Sequence, residues 1–426
     1  MANKKRTMTA KSTAENKGKV KKSHESVSDK KSVKKKNVKN LPKNGVSKVK
    51  KTVPKIGPSK KTPSKKIVID DATQAGNSNN LLRKASKAKK DEFYTQLSDI
   101  EKEMKNYKSY FKGKVIYCNC DDPYESNFFK YFSANFNSLG LKKLITTSFV
   151  GSPIVGGQLS LFDLEGLKPN GREPFKIEIT EVPDLDGDGA IGLYDVEILL
   201  KSNKNSVTPL VGDGDFRSRE CTELLKEADI VVTNPPFSLF REYISQLETY
   251  KKSYIIIGNT NAITYREIFK LIRDNKLRTG YTNFNVGMFF EVPEDWEKFH
   301  HIDEKGRKIA RVSTSCWFTN LEVTKHKDYI TLYKKYSKSE YPTYTNFDAI
   351  EVSKVSDIPM DYIGTMGVPI TFVDKYNPEQ FEIIDINPHF FTLTEKGLDK
   401  PTQLKIEGQK DPYARILIKN KKVVKK

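Results

Sequence analysis

Between Asp91 and Asn275 the chain alternates short apolar runs with stretches of helical periodicity. Leu97, Ile100, Met104 and Tyr107 fall on one face of a 3.6-residue repeat, which predicts a helix over Asp91–Tyr110. Val115-Ile116-Tyr117 predicts a short strand, and Phe128, Phe129 and Phe132 mark the helix after it. A second strand is expected over Leu144–Thr147. Residues 149–206, rich in Gly, Pro and Asp, read as an insertion with small strands of its own, such as Phe175–Ile179. Leu210-Val211 then leads through Gly212-Asp213-Gly214-Asp215-Phe216 to a helix near Glu220–Lys226. A strand beginning at Ile230, a strand over Tyr254–Ile257 and a helix over Tyr265–Asn275 complete the alternation. Strands alternating with helices predict an α/β fold with a doubly wound, mostly parallel sheet. The main domain is expected over residues 91–340. After about Tyr341 prolines are more frequent and the alternation fades, which sets residues 341–426 apart as a C-terminal region.

One apolar run ends abruptly. Asp229-Ile230-Val231-Val232-Thr233 is followed at once by Asn234-Pro235-Pro236-Phe237. Two prolines cannot continue a ladder, since neither has an N–H and each fixes its own φ. The chain must leave the sheet at Asn234, at the carboxyl end of a buried strand, where ligands of open α/β sheets bind. An amide oxygen and the Pro235 carbonyl are two acceptors for one amino group, and Phe237 offers a ring to stack on the base that carries it. The bland alternative is that Asn234 caps the next helix. Capping alone leaves both prolines and the aromatic ring unexplained.

Charge divides the chain. Of the 74 Lys/Arg and 54 Asp/Glu, 23 and 3 lie in residues 1–66, so that segment alone accounts for the net +20. No Phe, Tyr or Trp precedes Phe93, so residues 1–90 lack the means to bury a core and are expected to form a disordered Lys-rich tail and linker. Such a tail neutralises phosphates without sequence preference. The four cysteines, Cys118, Cys120, Cys221 and Cys316, form no disulfide framework and no paired CxxC knuckles. The N-terminus has no apolar signal region, and no apolar run approaches the ~20 residues of a membrane span. An intracellular protein without a membrane partner is expected, with the basic tail suggesting a nucleus, nucleoid or viral factory.

Several segments occur in a telling order: Asp91-Glu92-Phe93-Tyr94-Thr95-Gln96, Cys118-Asn119-Cys120-Asp121-Asp122-Pro123, Gly212-Asp213-Gly214-Asp215-Phe216-Arg217-Ser218 and Thr233-Asn234-Pro235-Pro236-Phe237-Ser238. With Ile257-Gly258-Asn259 and Gly367-Val368-Pro369-Ile370-Thr371-Phe372 they make the chain, over roughly residues 91–420, resemble the EcoRI-type adenine-specific DNA methyltransferases. That resemblance implies the fold of S-adenosylmethionine-dependent methyltransferases, with that cofactor as methyl donor and N6 of a flipped-out adenine in double-stranded DNA as acceptor. It implies cofactor contacts from Phe93 and Thr95, from Asp121 and Asp122 after the first strand, and from the pair Asp215 and Phe216. It implies an acceptor site of Asn234, Pro235 and Phe237, a target-recognition role for residues 341–426, and a cognate restriction endonuclease as a possible partner. Two features depart from common methyltransferase patterns. The first-strand loop lacks a Phe-x-Gly-x-Gly segment, and the second strand is followed by Ser148-Phe149 instead of an acidic residue. Loops of this Asn-Pro-Pro-aromatic kind also serve RNA bases and protein amides, and a basic-tailed DNA-binding protein with an inert fold would share the composition.

The insertion carries one more pattern. Asp184, Asp186, Asp188 and Asp195 match the spacing of an EF-hand loop, with Asp where Glu is usual at the last position. The alternating segment before it argues against a helix–loop–helix. A polar turn with Gly187 and Gly189 at positive φ, followed by a capped helix, explains the same residues. No metal is expected in the chemistry.

Overall fold

The computed structural model describes residues 94–120, 123, 126–149, 174–202, 207–292, 299–399, 401 and 403–424. The tail over 1–90, Phe93, Asp121 and Asp122 lie outside the described residues. In chain order the strands are β1 (Tyr94–Thr95), β2 (Val115–Cys118), β3 (Lys143–Thr147), β4 (Phe175–Ile179), β5 (Val207–Pro209), β6 (Ile230–Thr233), β7 (Ser253–Asn259) and β8 (Arg278–Thr279). They continue with β9 (Met288–Glu291), β10 (His301–Ile302), β11 (Lys308–Val312), β12 (Ser315–Thr319), β13 (Ile350–Glu351), β14 (Met366–Pro369), β15 (Phe381–Asn387) and β16 (Arg415–Asn420).

The largest sheet runs β5-β4-β3-β2-β6-β7-β12-β8. Its middle strands, β3, β2, β6 and β7, pair in parallel. The α/β class is as expected, but the sheet is mixed: β4 and β5 on one side and β12 and β8 on the other join antiparallel. The insertion does not stand apart from the sheet. Its strand β4 pairs along β3 and extends the edge. Antiparallel neighbours need no helical crossover, so hairpin-like returns can widen a parallel centre cheaply.

Alternate residues of the central strands enter two different cores, as expected of strands buried on both faces. Tyr117, Val231, Ile256 and Phe318 face a cluster completed by the helices Arg219–Glu227, Phe240–Thr249 and Arg266–Arg273. Ile116, Val232, Ile257 and Trp317 face the helices Leu97–Met104 and Asn127–Ala134. Gly258 on β7 permits close packing on the first face: a Cβ there would lie 2.4 Å from the Phe240 ring.

Two four-stranded sheets flank this one, in the orders β1-β9-β11-β10 and β13-β14-β16-β15. The second contributes Ile350, Met366, Val368, Ile416 and Ile418 to the cluster that includes Phe240 and Phe269. The helix expected over Asp91–Tyr110 begins only at Leu97. Tyr94 and Thr95 pair instead with Glu291 and Phe290, so a long-range ladder overrides the local helical pattern.

Candidate active site

The loops after β2, β3, β6 and β7 leave the same edge of the parallel centre. The first is tied to the third. The Thr233 hydroxyl donates to the Asn119 carbonyl, and the Tyr243 hydroxyl donates to Asn119 Oδ1. Burial holds the Tyr243 hydroxyl well above its ordinary range, so it stays protonated as a donor. Cys120 follows with a left-handed φ of 69°, which turns the chain sharply after the strand. Ser126 caps the next helix by accepting from Phe128 N and Phe129 N at 3.2 and 3.4 Å.

Asn234, Pro235 and Pro236 are buried at the end of β6, with Asn234 4% exposed, and Phe237 is half-buried. The Pro236 carbonyl accepts from Leu239 N at 2.9 Å, closing a 3-10 turn over Phe237–Leu239. Asn234 is therefore not the cap of a helix that starts directly after it: the α-helix begins at Phe240. The Phe237 ring meets the Phe290 ring edge-on, with centroids 6.5 Å apart and planes at 80°. Phe290 is the residue on β9 that pairs with Thr95 of β1. The expected cofactor segment and the expected acceptor loop thus meet on either side of one phenylalanine. Asn127 adds a second tie, donating through Nδ2 to the Thr95 carbonyl at 2.7 Å. The Thr95 Oγ1 is buried, and among the described residues no group hydrogen-bonds to it, which fits a polar ligand atom. Phe290 and Asn127 were not singled out from sequence. Nothing local marks Phe290, because strand pairing brings it to the site.

The Gly212–Ser218 loop reaches the same edge from β5. Gly214 has φ of 79°, and a Cβ there would lie 1.9 Å from the Ser148 carbonyl oxygen. This close approach seats the loop on the end of β3. Phe216 is buried, its ring 5.0 Å from Tyr243 at 78° and its carbonyl accepting from Gln246 Nε2 at 3.0 Å. Asp215 is engaged by Arg217: Nε and the backbone N both donate to Oδ1 at 2.8 Å, and Nη2 donates to Oδ2 at 2.6 Å. Burial would raise the Asp215 carboxyl, but the bonds and charge from Arg217 hold it below the usual carboxylate range. Arg217 also reaches Glu242 at 3.3 Å. Ser148, where an acidic residue is usual, is committed to the β3–β4 ladder: its N donates to the Phe175 carbonyl and its Oγ accepts from Phe175 N, both at 2.9 Å.

The acidic loop in the insertion is assembled differently from its spacing. Ligand oxygens of Asp184, Asp186 and Asp188 lie within 4.8 Å of one another on the surface. Asp195 is turned away into the backbone, accepting from Leu185 N and Gly192 N at 2.7 Å each. It organises the turn and the start of the helix Leu193–Ser202. Each of the other three also accepts a backbone N–H of the loop, from Gly187, Asp188 and Ala190 respectively. A surface cavity of about 590 Å³ lined by Arg273, Tyr376, Phe381 and Lys421 contains none of the expected site residues.

Among the described residues no helix is long and apolar enough to cross a membrane. No solved structure matches the chain. Curated proteins do. The Type II methyltransferase M.EcoRI of Escherichia coli is 46% identical over 357 residues, covering 82% of this chain and 98% of that protein. M.MpnI of Mycoplasma pneumoniae is 37% identical over 317 residues, covering 72% and 86%. M.MgeORF184P of Mycoplasma genitalium is 35% identical over 355 residues, covering 80% and 99%. These relatives are bacterial and lend no support to the nuclear or viral-factory location suggested by the basic tail. The family model described as adenine-specific methyltransferase EcoRI matches residues 81–421, a span that includes every segment gathered at this sheet edge, and the chain belongs to that family.

Proposed function

We propose that the chain transfers the methyl group of S-adenosylmethionine to N6 of an adenine flipped out of double-stranded DNA, and that Asn234, Pro235 and Phe237 hold that adenine. Family membership makes the chain a site-specific DNA-methyltransferase acting on adenine, of the restriction-modification class. The observation that carries the site assignment is the placement of Asn-Pro-Pro-Phe at the end of β6, between the loop after β2 and the β1–β9 pair that holds Thr95.

An adenine inside a duplex cannot present N6, so the nucleotide must be extruded, at a cost of a few kcal/mol. Phe237 recovers part of this by contact with the base, roughly 1–3 kcal/mol by analogy with other base–aromatic contacts. The N6 lone pair is conjugated into the ring and is a poor nucleophile. Hydrogen bonds from N6–H to the Asn234 amide oxygen and the Pro235 carbonyl favour a pyramidal nitrogen and aim its lone pair out of the ring plane. An amide suits this better than a carboxylate would, since it accepts without adding a full charge. Positioning and fixed dipoles supply most of the effect.

S-adenosylmethionine, when bound, supplies an electrophilic sulfonium methyl for direct transfer. Thr95, with its buried hydroxyl, and Phe216, seated against Tyr243, fit such a ligand. Asp215 would accept from the cofactor's adenine, sharing its carboxylate with Arg217. Phe93, Asp121 and Asp122 complete the cofactor set on sequence grounds. We read the parallel centre and its two helical layers as a doubly wound methyltransferase sheet. We assign residues 341–426 to reading the DNA sequence, and a cognate endonuclease would share that sequence.

The test is mass spectrometry of nucleosides from unmethylated DNA incubated with the protein and S-adenosylmethionine, beside Asn234→Ala. N6-methyladenine formed only by the unmutated protein supports both reaction and site. An active Asn234→Ala variant would refute the site. No methylated nucleoside, with cofactor binding intact, would redirect the acceptor to RNA or protein.

A further inference from the structure

The loop Thr282–Gly287 stands on the same edge as the acceptor loop and plays no part in the chemistry described above. Its position follows from the packing on either side of it. Gly287 lies so close to the β11–β12 turn that a Cβ there would be 2.5 Å from Ser313 Cα. That turn is bound to the end of β7, where Thr260 N donates to the Thr314 carbonyl and Asn259 Nδ2 donates to Thr314 Oγ1, both at 2.7 Å. β7 is the parallel neighbour of β6, which ends in Asn234. Directly after the loop, β9 carries Phe290 to the Phe237 ring.

The loop is held rigidly. Asn283, Asn285 and Gly287 have left-handed φ values of 67°, 61° and 79°. Glu103, fully buried, accepts from Tyr281 N at 2.7 Å, Thr282 N at 2.8 Å and Thr282 Oγ1 at 2.6 Å. Asn283 accepts from Trp317 Nε1 at 3.2 Å and donates to the Gly287 carbonyl at 3.1 Å, which closes the loop on itself. Phe284 is buried beneath it. So much fixed structure presents one apolar side chain to solvent: Val286, 61% exposed. Beside it Arg311 donates through Nη2 to the Val286 carbonyl at 2.8 Å, which leaves an exposed cation at the base of the tip. A second exposed cation, Arg241, lies over the Tyr265 ring at 5.0 Å on helices that follow β6 and β7.

A rigid apolar point with an exposed cation beside it, on a sheet edge that carries a second cation, suits a base stack edged by phosphates. Proteins that open a duplex insert apolar side chains between base steps while cations hold the backbone. We propose that Thr282–Gly287 is the wedge that opens the duplex, with Val286 entering the stack beside the extruded adenine and Arg311 binding a flanking phosphate. This rests on the base-flipping reading above and adds the residues that act on the DNA rather than on the methyl transfer.

The experiment first locates the methylated site by mapping N6-methyladenine in DNA treated with the protein. It then compares Val286→Ser with the unmutated protein on two duplexes, one fully paired at the target and one with an abasic site opposite it. Removing the pairing partner lowers the cost of extrusion, so a defect in opening is rescued and a defect in folding or catalysis is not. We expect Val286→Ser to lower kcat/KM on the paired duplex about tenfold and to come within about twofold of the unmutated protein on the abasic one. Val286→Leu should retain activity on both. Equal loss on both duplexes, or no loss on either, would overturn the proposal. If the mapping step finds no N6-methyladenine in the treated DNA, the reading of a flipped adenine as acceptor falls, and the wedge with it.

Discussion

Gly214 shows how much a single residue can fix here. Its φ of 79° is one that a Cβ-bearing residue holds only under strain, and a methyl group would run into the Ser148 carbonyl oxygen. Gly214→Ala should therefore destabilise the protein by roughly 1–3 kcal/mol from backbone strain alone. It should weaken S-adenosylmethionine binding further, because Phe216 and Asp215 ride on the displaced loop. Thermal unfolding with and without cofactor checks both, and an unchanged ligand-induced shift in Tm would refute the second. Phe237→Ala should leave cofactor binding intact and lower kcat/KM for DNA by roughly ten- to a hundredfold, the worth of one base–aromatic stacking interaction. At this scale the sequence was most legible where chemistry and backbone coincide. Asn234 and Phe237 stand out as candidates because two prolines stop a buried strand beside them, and β6 does end at Thr233. Phe290 and Asn127 do not, since their partners lie far away in the chain and only strand pairing reveals them.

Elements were legible where the local pattern had no competitor. Phe175–Ile179 alternates cleanly and forms β4 over those same residues. Tyr94-Thr95 was not legible: its pattern reads as helix until β9, from the other half of the domain, claims it. The β9–β12 strands went unread for a related reason: all pair antiparallel, β9 with β1 and β11, and β12 with β7 and β8, and only β10–β11 is a local hairpin, so none follows strand–helix alternation. Ion pairs between elements give two predictions. Glu395 binds Arg266 and Lys270 at 2.9 and 2.7 Å, tying the short helix Phe391–Glu395 to Arg266–Arg273. These bonds lower its carboxyl from 4.5 to about 2. A lowered folded-state value contributes stability above the unfolded one, lost as pH falls from about 4.5 towards 2. Glu395→Gln should flatten the acid-unfolding curve in that window and nowhere else. The pair is exposed, so the effect at neutral pH should be small. Arg415 is different. It holds the buried Glu351 through Nε and Nη2 at 2.9 and 2.8 Å, across β16 and β13. Arg415→Ala leaves that carboxylate without its counter-charge, with the Tyr344 hydroxyl still donating to it, and should cost about 3–5 kcal/mol, read as a fall in the urea midpoint.

For the whole molecule the question is how a nearly neutral enzyme holds a polyanion. Residues 91–426 carry 46 basic and 49 acidic side chains, while residues 1–66 carry 23 and 3. The charge that could bind DNA at long range therefore lies almost wholly outside the part that bears the active site. The catalytic part must rely on a few placed cations, such as Arg241 and Arg311, and these suit register better than bulk attraction. Binding and catalysis should then be separable by deletion. Removal of residues 1–66 should weaken DNA affinity and reduce the slope of log K against log salt by roughly 0.9 for each phosphate that the tail no longer neutralises. Turnover at saturating DNA should stay unchanged, because none of the residues proposed for the methyl transfer lies in that segment. Titration of labelled duplex at several salt concentrations, beside single-turnover methylation, measures the two terms independently. If affinity and salt slope persist in the truncated protein, its cations are focused on one face strongly enough to hold DNA despite the balanced count, and the tail's charge serves some other purpose. If turnover falls as well, the tail acts on the reaction itself, and the division between a binding segment and a catalytic one is wrong.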